Sequence, residues 1–304
     1  MSAELALIPA PELRRLRQSA LELLEVGSGV EPRLAGAVAD TVRRPGSLWR
    51  MQLAWSVARA ESVPEADALD LAAGVEAFHV ASLLFDDLPA MDDAATRRGA
   101  PCVHRVHGEA AAILAGLAFV HRGYARIWRA LDAAAPAARR AARGRVEECL
   151  GLGGILDGQA RDLVGVRGAV EPESAARLAG GKTVPLLRLA LLLPAIVAGA
   201  PEPRLGTLDR LAAAWGLAYQ ILDDLGDLAG ADSDLATGRP NFAAALGFDA
   251  ALARLDAELE GAALEIAAIS VVRPALAERF GRLSARFVTE RNRISPPERR
   301  VAGG

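Results

Sequence analysis

The sequence predicts an all-α fold, one domain of packed helices, from three observations. Apolar residues recur with the 3.6-residue period along almost the whole chain. Val, Ile and Thr never form alternating runs bounded by turn residues, so no strand is expected. Gly and Pro collect in short clusters between the periodic stretches, so the connections are short.

Helices are expected near 11–27, 31–43, 47–61, 66–87, 107–131, 137–164, 173–200, 204–228, 240–246, 248–268 and 272–290. The breaks fall at Gly27-Ser28-Gly29, Pro45-Gly46, Pro64, Gly99-Ala100-Pro101, Pro172, Pro201-Glu202-Pro203 and Gly238-Arg239-Pro240. Glu65 follows Pro64 and suits the positive end of a helix dipole. A single domain over 1–304 follows, with frayed ends at 1–10 and 296–304.

Composition narrows the function classes. Hydrophobic residues make up 52% of the 304 and charged residues 24%, which excludes a disordered chain. A net charge of −3 and 4% aromatics offer nucleic acid neither a basic surface nor a stacking platform. Cys102 and Cys149 cannot make a disulfide framework, so a reducing, cytoplasmic location is expected. The N-terminal stretch does not read as a signal peptide. Apolar runs such as 189–200, interrupted by Pro194, fall short of the roughly 20 residues a spanning helix needs, so no transmembrane segment is expected. Of 35 basic residues only Lys182 is lysine, which suggests a use for its compact ammonium.

The chemistry sits in two acidic clusters. Asp86-Asp87-Leu88-Pro89-Ala90-Met91-Asp92-Asp93 ends a long apolar helix. Gln220, Asp223, Asp224 and Asp227 recur at i, i+3, i+4 and i+7, one stripe of a second apolar helix. Like charges about 4 Å apart repel by roughly 4 kcal/mol at an effective dielectric near 20. Converging carboxylates must therefore be solvated, protonated or bound to metal. A carboxylate-rich, histidine-poor donor set suits a hard cation, and Mg²⁺ binds through one or two carboxylates plus substrate phosphates. Pro89 disturbs the first helix, so spacing does not choose between Asp92 and Asp93. His79, Ser82, Leu83 and Asp86 form a seam rising to the first cluster. Arg97 and Arg98 follow and are suited to clamping phosphate. Gly180-Gly181-Lys182-Thr183 lacks the glycine spacing of a P-loop but offers a phosphate contact. His104 and His107 lack further ligands for a zinc site.

Together these residues resemble the trans-isoprenyl diphosphate synthase (polyprenyl synthetase) family over roughly 46–245. The run from His79 to Asp93 looks like the family's first aspartate-rich motif, and Arg97-Arg98-Gly99 like its RRG. Gly158-Gln159 with Asp162 resembles GQxxD, and Lys182-Thr183 the family's KT. Gln220 to Asp227 looks like the second motif, QxxDDxxD. The resemblance implies a helical bundle around a central cavity, the isoprenoid-synthase type, usually homodimeric.

It also implies that Asp86, Asp87 and Asp92 hold Mg²⁺ from one wall and Asp223, Asp224 and Asp227 from the other. Arg97, Lys182 and Thr183 would contact an allylic diphosphate, with Gln220 nearby. Arg50, His79 and Arg98 would contact isopentenyl diphosphate, and Arg239 stands in a later basic position. The implied reaction ionises the allylic carbon–oxygen bond in a dry pocket, where the isopentenyl double bond attacks. The released diphosphate takes the proton. Ala81 and Ser82, small residues before the first aspartate, leave the product pocket open at that level, and Phe78 is positioned to close it one turn deeper. Products of C20 or somewhat longer are expected.

The chain departs from the family in one functional segment. Pro45-Gly46-Ser47-Leu48-Trp49-Arg50-Met51 aligns with GGKRxRP, so Ser47 stands in place of a phosphate-binding lysine and Leu48 in place of an arginine. Leu117 stands where relatives often carry Asp. These departures keep two alternatives in view: a class I terpene synthase or irregular coupling enzyme, and a non-catalytic partner subunit of a prenyl synthase. A metal-dependent phosphohydrolase fits less well, because paired His-Asp ligands are absent.

Overall fold

The structure is a computed structural model that describes residues 6–23, 26–164, 180–229 and 241–294. The helices in chain order are α1 (Ala10–Leu21), α2 (Pro32–Val42), α3 (Trp49–Ala60), α4 (Glu65–Asp86), α5 (Val103–His107), α6 (Glu109–Leu131), α7 (Pro136–Leu150), α8 (Ile155–Val164), α9 (Val184–Val197), α10 (Glu202–Ala229), α11 (Phe242–Leu246), α12 (Phe248–Val272) and α13 (Pro274–Arg293). The expected helix at 107–131 starts four residues earlier and is broken at Gly108, whose φ of 88° no helix accommodates. The expected helix at 137–164 is broken at Gly151–Gly154, where glycine's backbone freedom outweighs the apolar period. Residues 173–179 and 296–304 lie outside the described residues.

The expectation of no strand is corrected at one place. Strands β1 (Thr96–Arg97) and β2 (Ala100–Pro101) pair antiparallel, Thr96 opposite Pro101 and Arg97 opposite Ala100. Arg98 and Gly99 between them have φ of 54° and 75°, the signature of a two-residue hairpin turn with both central residues left-handed. Strands of two residues carry no period to read.

The chain groups into two compact units, 1–145 with 189–201 and 146–188 with 202–304. In the first unit α4 and α6 run antiparallel and close. A Cβ on Gly74 would meet Ile127 Cγ1 at 2.6 Å, and one on Gly123 would meet the Phe78 ring at 2.8 Å. One on Gly116 would meet the Phe85 ring at 2.7 Å. The three contacts keep one register, so α4 lies on α6 from Gly74 to Phe85. Phe78 also stands edge-on to Tyr124, with centroids 4.9 Å apart. By length and hydropathy α4 could cross a membrane, yet most of it is buried against neighbouring helices. Helix α3 is buried from Trp49 to Ala58. Its Gln52 is fully buried, accepts from Leu7 N and donates to Ser47 O, both at 2.8 Å.

In the second unit α10 packs on α12, and α12 on α13. Trp215 is fully buried, edge-on to Phe280 at 5.2 Å, and donates to Ser284 Oγ at 3.1 Å. Arg291 bonds both oxygens of Asp256 at 2.6 and 2.7 Å, tying α13 to α12.

The close approach of α4 and α6 makes a prediction with opposite signs at two helical glycines. Gly74→Ala should destabilise the protein by about 1–3 kcal/mol in chemical denaturation, because Ile127 and the Gly123 carbonyl leave no room. Gly144→Ala in α7 meets nothing within 4 Å and should stabilise by about 0.5–1 kcal/mol. Equal effects at both sites would contradict the packing.

Candidate functional site

In the first unit α4 delivers its polar seam to a turn. Asp86 is the last residue of the helix and Asp87 its C-cap. Pro89 has no N–H for the Phe85 carbonyl, and Leu88 N takes that carbonyl instead at 3.1 Å. The chain then folds back, and Asp92 N donates to Asp86 O at 2.8 Å. Asp93 has φ of 47°, is exposed, and bonds Arg105 Nη2 at 2.6 Å. The turn thus separates the two aspartates that spacing left equivalent. Asp92 lies beside the Asp86 backbone, and Asp93 is committed to Arg105.

Asp87 is buried at 4% exposure, and its Oδ1 accepts from Arg97 Nε at 2.6 Å. The hairpin between β1 and β2 holds Arg97 there. The Cys102 thiol also bonds Asp87; burial, with the Asp87 charge behind it, pushes that thiol up to about 11. Arg98 Nη1 donates to Arg44 O at 2.6 Å, and its guanidinium lies against Gly46, where a Cβ would come within 2.5 Å of Cζ. His107 Nε2 meets Asp40 Oδ2 at 2.6 Å, a bond that holds the Asp40 carboxyl below the usual range against the effect of burial. His107 is thus bonded to Asp40.

A second buried group centres on Glu76, which the sequence reading passed over. Glu76 is 2% exposed, bonds the Met51 backbone, and lies within electrostatic reach of Arg50 and Arg98. Burial outweighs both arginines and pushes its carboxyl up to about 7. Arg50 is buried with its guanidinium 4.4 Å from the Trp49 ring centroid. His79 is held well below the usual histidine range, first by burial and then by Arg50, Arg98 and Arg97, so it is neutral at pH 7. The structure therefore brings Arg50, His79 and Arg98 into one electrostatic group and adds Glu76. Its signal was available: Glu76 precedes His79 by three residues on the same seam. Further down the helix, Phe78 and Ala81 are buried, and Ser82 Oγ donates to His79 O at 2.8 Å. Leu117 is 53% exposed.

In the second unit Lys182 Nζ donates to Asp162 Oδ2 at 2.7 Å. Glycine makes this contact reachable: a Cβ on Gly181 would stand 2.9 Å from Gly158 Cα, so only paired glycines let the two segments meet. Thr183 Oγ1 donates to Gln220 Oε1 at 3.5 Å, and Gln220 Nε2 donates to Asp224 Oδ1 at 2.9 Å. Gln220 and Asp224 are buried, and Asp223 is exposed. The stripe thus divides into a bonded buried pair and an exposed carboxylate. The side chain of Asp227 and all of Arg239 lie outside the described residues.

Among the described residues no three His, Cys, Asp or Glu side chains converge on a point where they could hold a metal by themselves. The donor chemistry still fits Mg²⁺, which needs only one or two carboxylates when phosphate oxygens and water complete its shell.

Glu76 makes stability depend on pH. Its folded value of about 7 lies above the unfolded 4.5, so its contribution is whole below 4.5 and is lost as pH rises through 7. Relative to Glu76→Gln, the wild-type unfolding free energy should fall by about 3 kcal/mol between pH 4.5 and 8. A difference that stays flat in denaturation at both pH values would show that Glu76 is not a buried neutral acid.

A polyprenyl synthetase family model matches residues 31–241. The chain is 35% identical to a geranylgeranyl diphosphate synthase of Pantoea ananas, over 66% of this chain and 67% of that one. It is 30% identical to a farnesyl diphosphate synthase of Bacillus subtilis, over 79% of this chain and 84% of that one. A solved geranyltransferase of Helicobacter pylori, complexed with magnesium and isoprenyl diphosphate, shares the fold. Its TM-score is 0.77 at 23% identity, covering 92% of this chain and 99% of that one. With the family model matched from Glu31 through Asn241, and the all-α fold shared with a solved relative, the chain belongs to the polyprenyl synthetase family.

Proposed function

We propose that this chain is a Mg²⁺-dependent prenyltransferase that condenses an allylic prenyl diphosphate with isopentenyl diphosphate to a longer trans-prenyl diphosphate. One observation carries the reading: both acidic motifs, 86–93 and 220–227, lie inside the span matched by the family. Asp86, Asp87 and Asp92 in the first unit, and Asp223, Asp224 and Asp227 in the second, are the proposed magnesium ligands. When bound, Mg²⁺ neutralises charge on the leaving diphosphate.

The chain's own residues do the rest. Arg97, Lys182 and Thr183 bind the allylic diphosphate, with Gln220 orienting Thr183 and Asp224. Arg50, Arg98 and neutral His79 bind isopentenyl diphosphate, and Arg239 is kept as a further contact. Buried Leu84 and Ala81 on α4 exclude water that would quench a carbocation. The relatives' products, farnesyl and geranylgeranyl diphosphate, support a C15–C20 range. Small Ala81 and Ser82 favour its longer end or somewhat beyond, with Phe78, seated on Gly123, closing the pocket deeper. We read the enzyme as a homodimer on the resemblance set out above, and as cytoplasmic on its two cysteines.

The test is purified protein with Mg²⁺ and geranyl or farnesyl diphosphate, with and without isopentenyl diphosphate. Longer diphosphates should appear only with isopentenyl diphosphate. Hydrocarbons or alcohols without it would favour a terpene synthase, and no turnover a partner subunit. Asp86→Ala and Asp223→Ala should each lower kcat by roughly 10²–10³-fold or more with unchanged helical circular dichroism. Unchanged rates would remove the assigned roles.

A further inference from the structure

We propose that Arg44 supplies the diphosphate-binding charge that Ser47 lacks, so that the isopentenyl diphosphate subsite of this chain uses Arg44 beside Arg98. The inference rests on the prenyltransferase reading above. It starts from the segment in which the sequence departs most from its family.

The loop that carries Ser47 is fixed from both sides. Gln52, fully buried, donates to Ser47 O at 2.8 Å, and Arg98 donates to Arg44 O at 2.6 Å. Arg98 also fills the space over Gly46, whose φ is 68°. The Ser47 hydroxyl is neutral and short, and a pinned loop cannot advance it to do the work of an ammonium.

Arg44 stands three residues earlier with its Nη1 3.5 Å from Pro101 O on β2. It lines a solvent-open pocket with Arg97 and Arg98, two residues already assigned to diphosphate binding. The carboxylates of that pocket have other partners. Asp87 takes Arg97, and Asp40 takes His107 and Arg43. Arg44 adds charge to the surroundings of Asp40 and is exposed, with a planar fork that matches a phosphate edge. Leu48, Asp93 and Arg98 have φ between 47° and 54°. They are three of four non-glycine residues with left-handed backbone among the described residues. Such strain concentrates at binding sites. Arg44 is therefore a replacement charge that the fixed loop can present.

The experiment compares Arg44→Gln with Arg43→Gln, an exposed neighbour bonded to Asp40. Arg44→Gln should raise the KM for isopentenyl diphosphate about tenfold, with the allylic KM and kcat held. Arg43→Gln should leave all three unchanged. Adding Ser47→Lys to Arg44→Gln should return the KM towards the wild-type value. Equal KM values for the two single variants, or a rise in the allylic KM instead, would overturn the assignment. Should wild-type protein not elongate at all, the prenyltransferase reading fails, and calorimetry with inorganic pyrophosphate then judges Arg44 alone. Weaker pyrophosphate binding by Arg44→Gln than by Arg43→Gln would uphold it, and equal binding would overturn it.

Discussion

Four carboxylates within eight residues, at the C-terminal end of a helix, set the constraint on which the first unit is built. The helix terminus already carries partial negative charge, so Asp86 and Asp87 sit where the macrodipole disfavours them. The structure answers with separate partners. Asp87 is matched by Arg97, Asp93 by Arg105, and the fold-back at Pro89 gives the Asp86 carbonyl to Asp92 N. The hairpin between β1 and β2 exists to place Arg97, and its left-handed Arg98 and Gly99 are the backbone cost of placing it.

The helix that carries this turn is held with little freedom. Gly74, Gly123 and Gly116 each receive a side chain of the opposite helix, in one register along the α4–α6 contact. Close packing of this kind leaves no slack for rotation of α4. The seam from Glu76 through His79 to Asp86 is therefore presented at one fixed azimuth. Rigidity at the helix and strain at the turn are complementary: the first fixes where the carboxylates are, the second fixes which way each points.

Much of this was legible in the residues, and the failures have physical causes. Helix positions followed from apolar period, and the acidic stripe of α10 from its i, i+3, i+4, i+7 spacing. The breaks at Gly108 and Gly151–Gly154 were missed because an apolar period runs across them while the backbone does not. The hairpin was missed because two residues have no period. Asp92 and Asp93 were indistinguishable until the fold-back at Pro89 gave each a different neighbour. Glu76 was overlooked for a different reason. A glutamate in an apolar helix reads as an isolated exception, and only burial beside Arg50 and Arg98 gives it an electrostatic role. Arg44 sits outside every motif, and its relevance depends on a contact with β2 that sequence spacing does not encode.

The choice of cation in each unit follows the same logic. Arg97 engages Asp87 through Nε, and a guanidinium bonded at that edge keeps its terminal nitrogens available for a second anion. A lysine at that place would offer one ammonium to both partners. Lys182 reaches the Asp162 carboxylate across a glycine–glycine contact too narrow for wider side chains nearby. A flexible stem with a compact charge suits that crossing better than a planar fork. The one lysine in a chain of arginines therefore marks the place where reach and compactness matter more than bidentate geometry. By the same reasoning an arginine three residues from a lost lysine is a replacement in charge, with a fork that changes how phosphate is held.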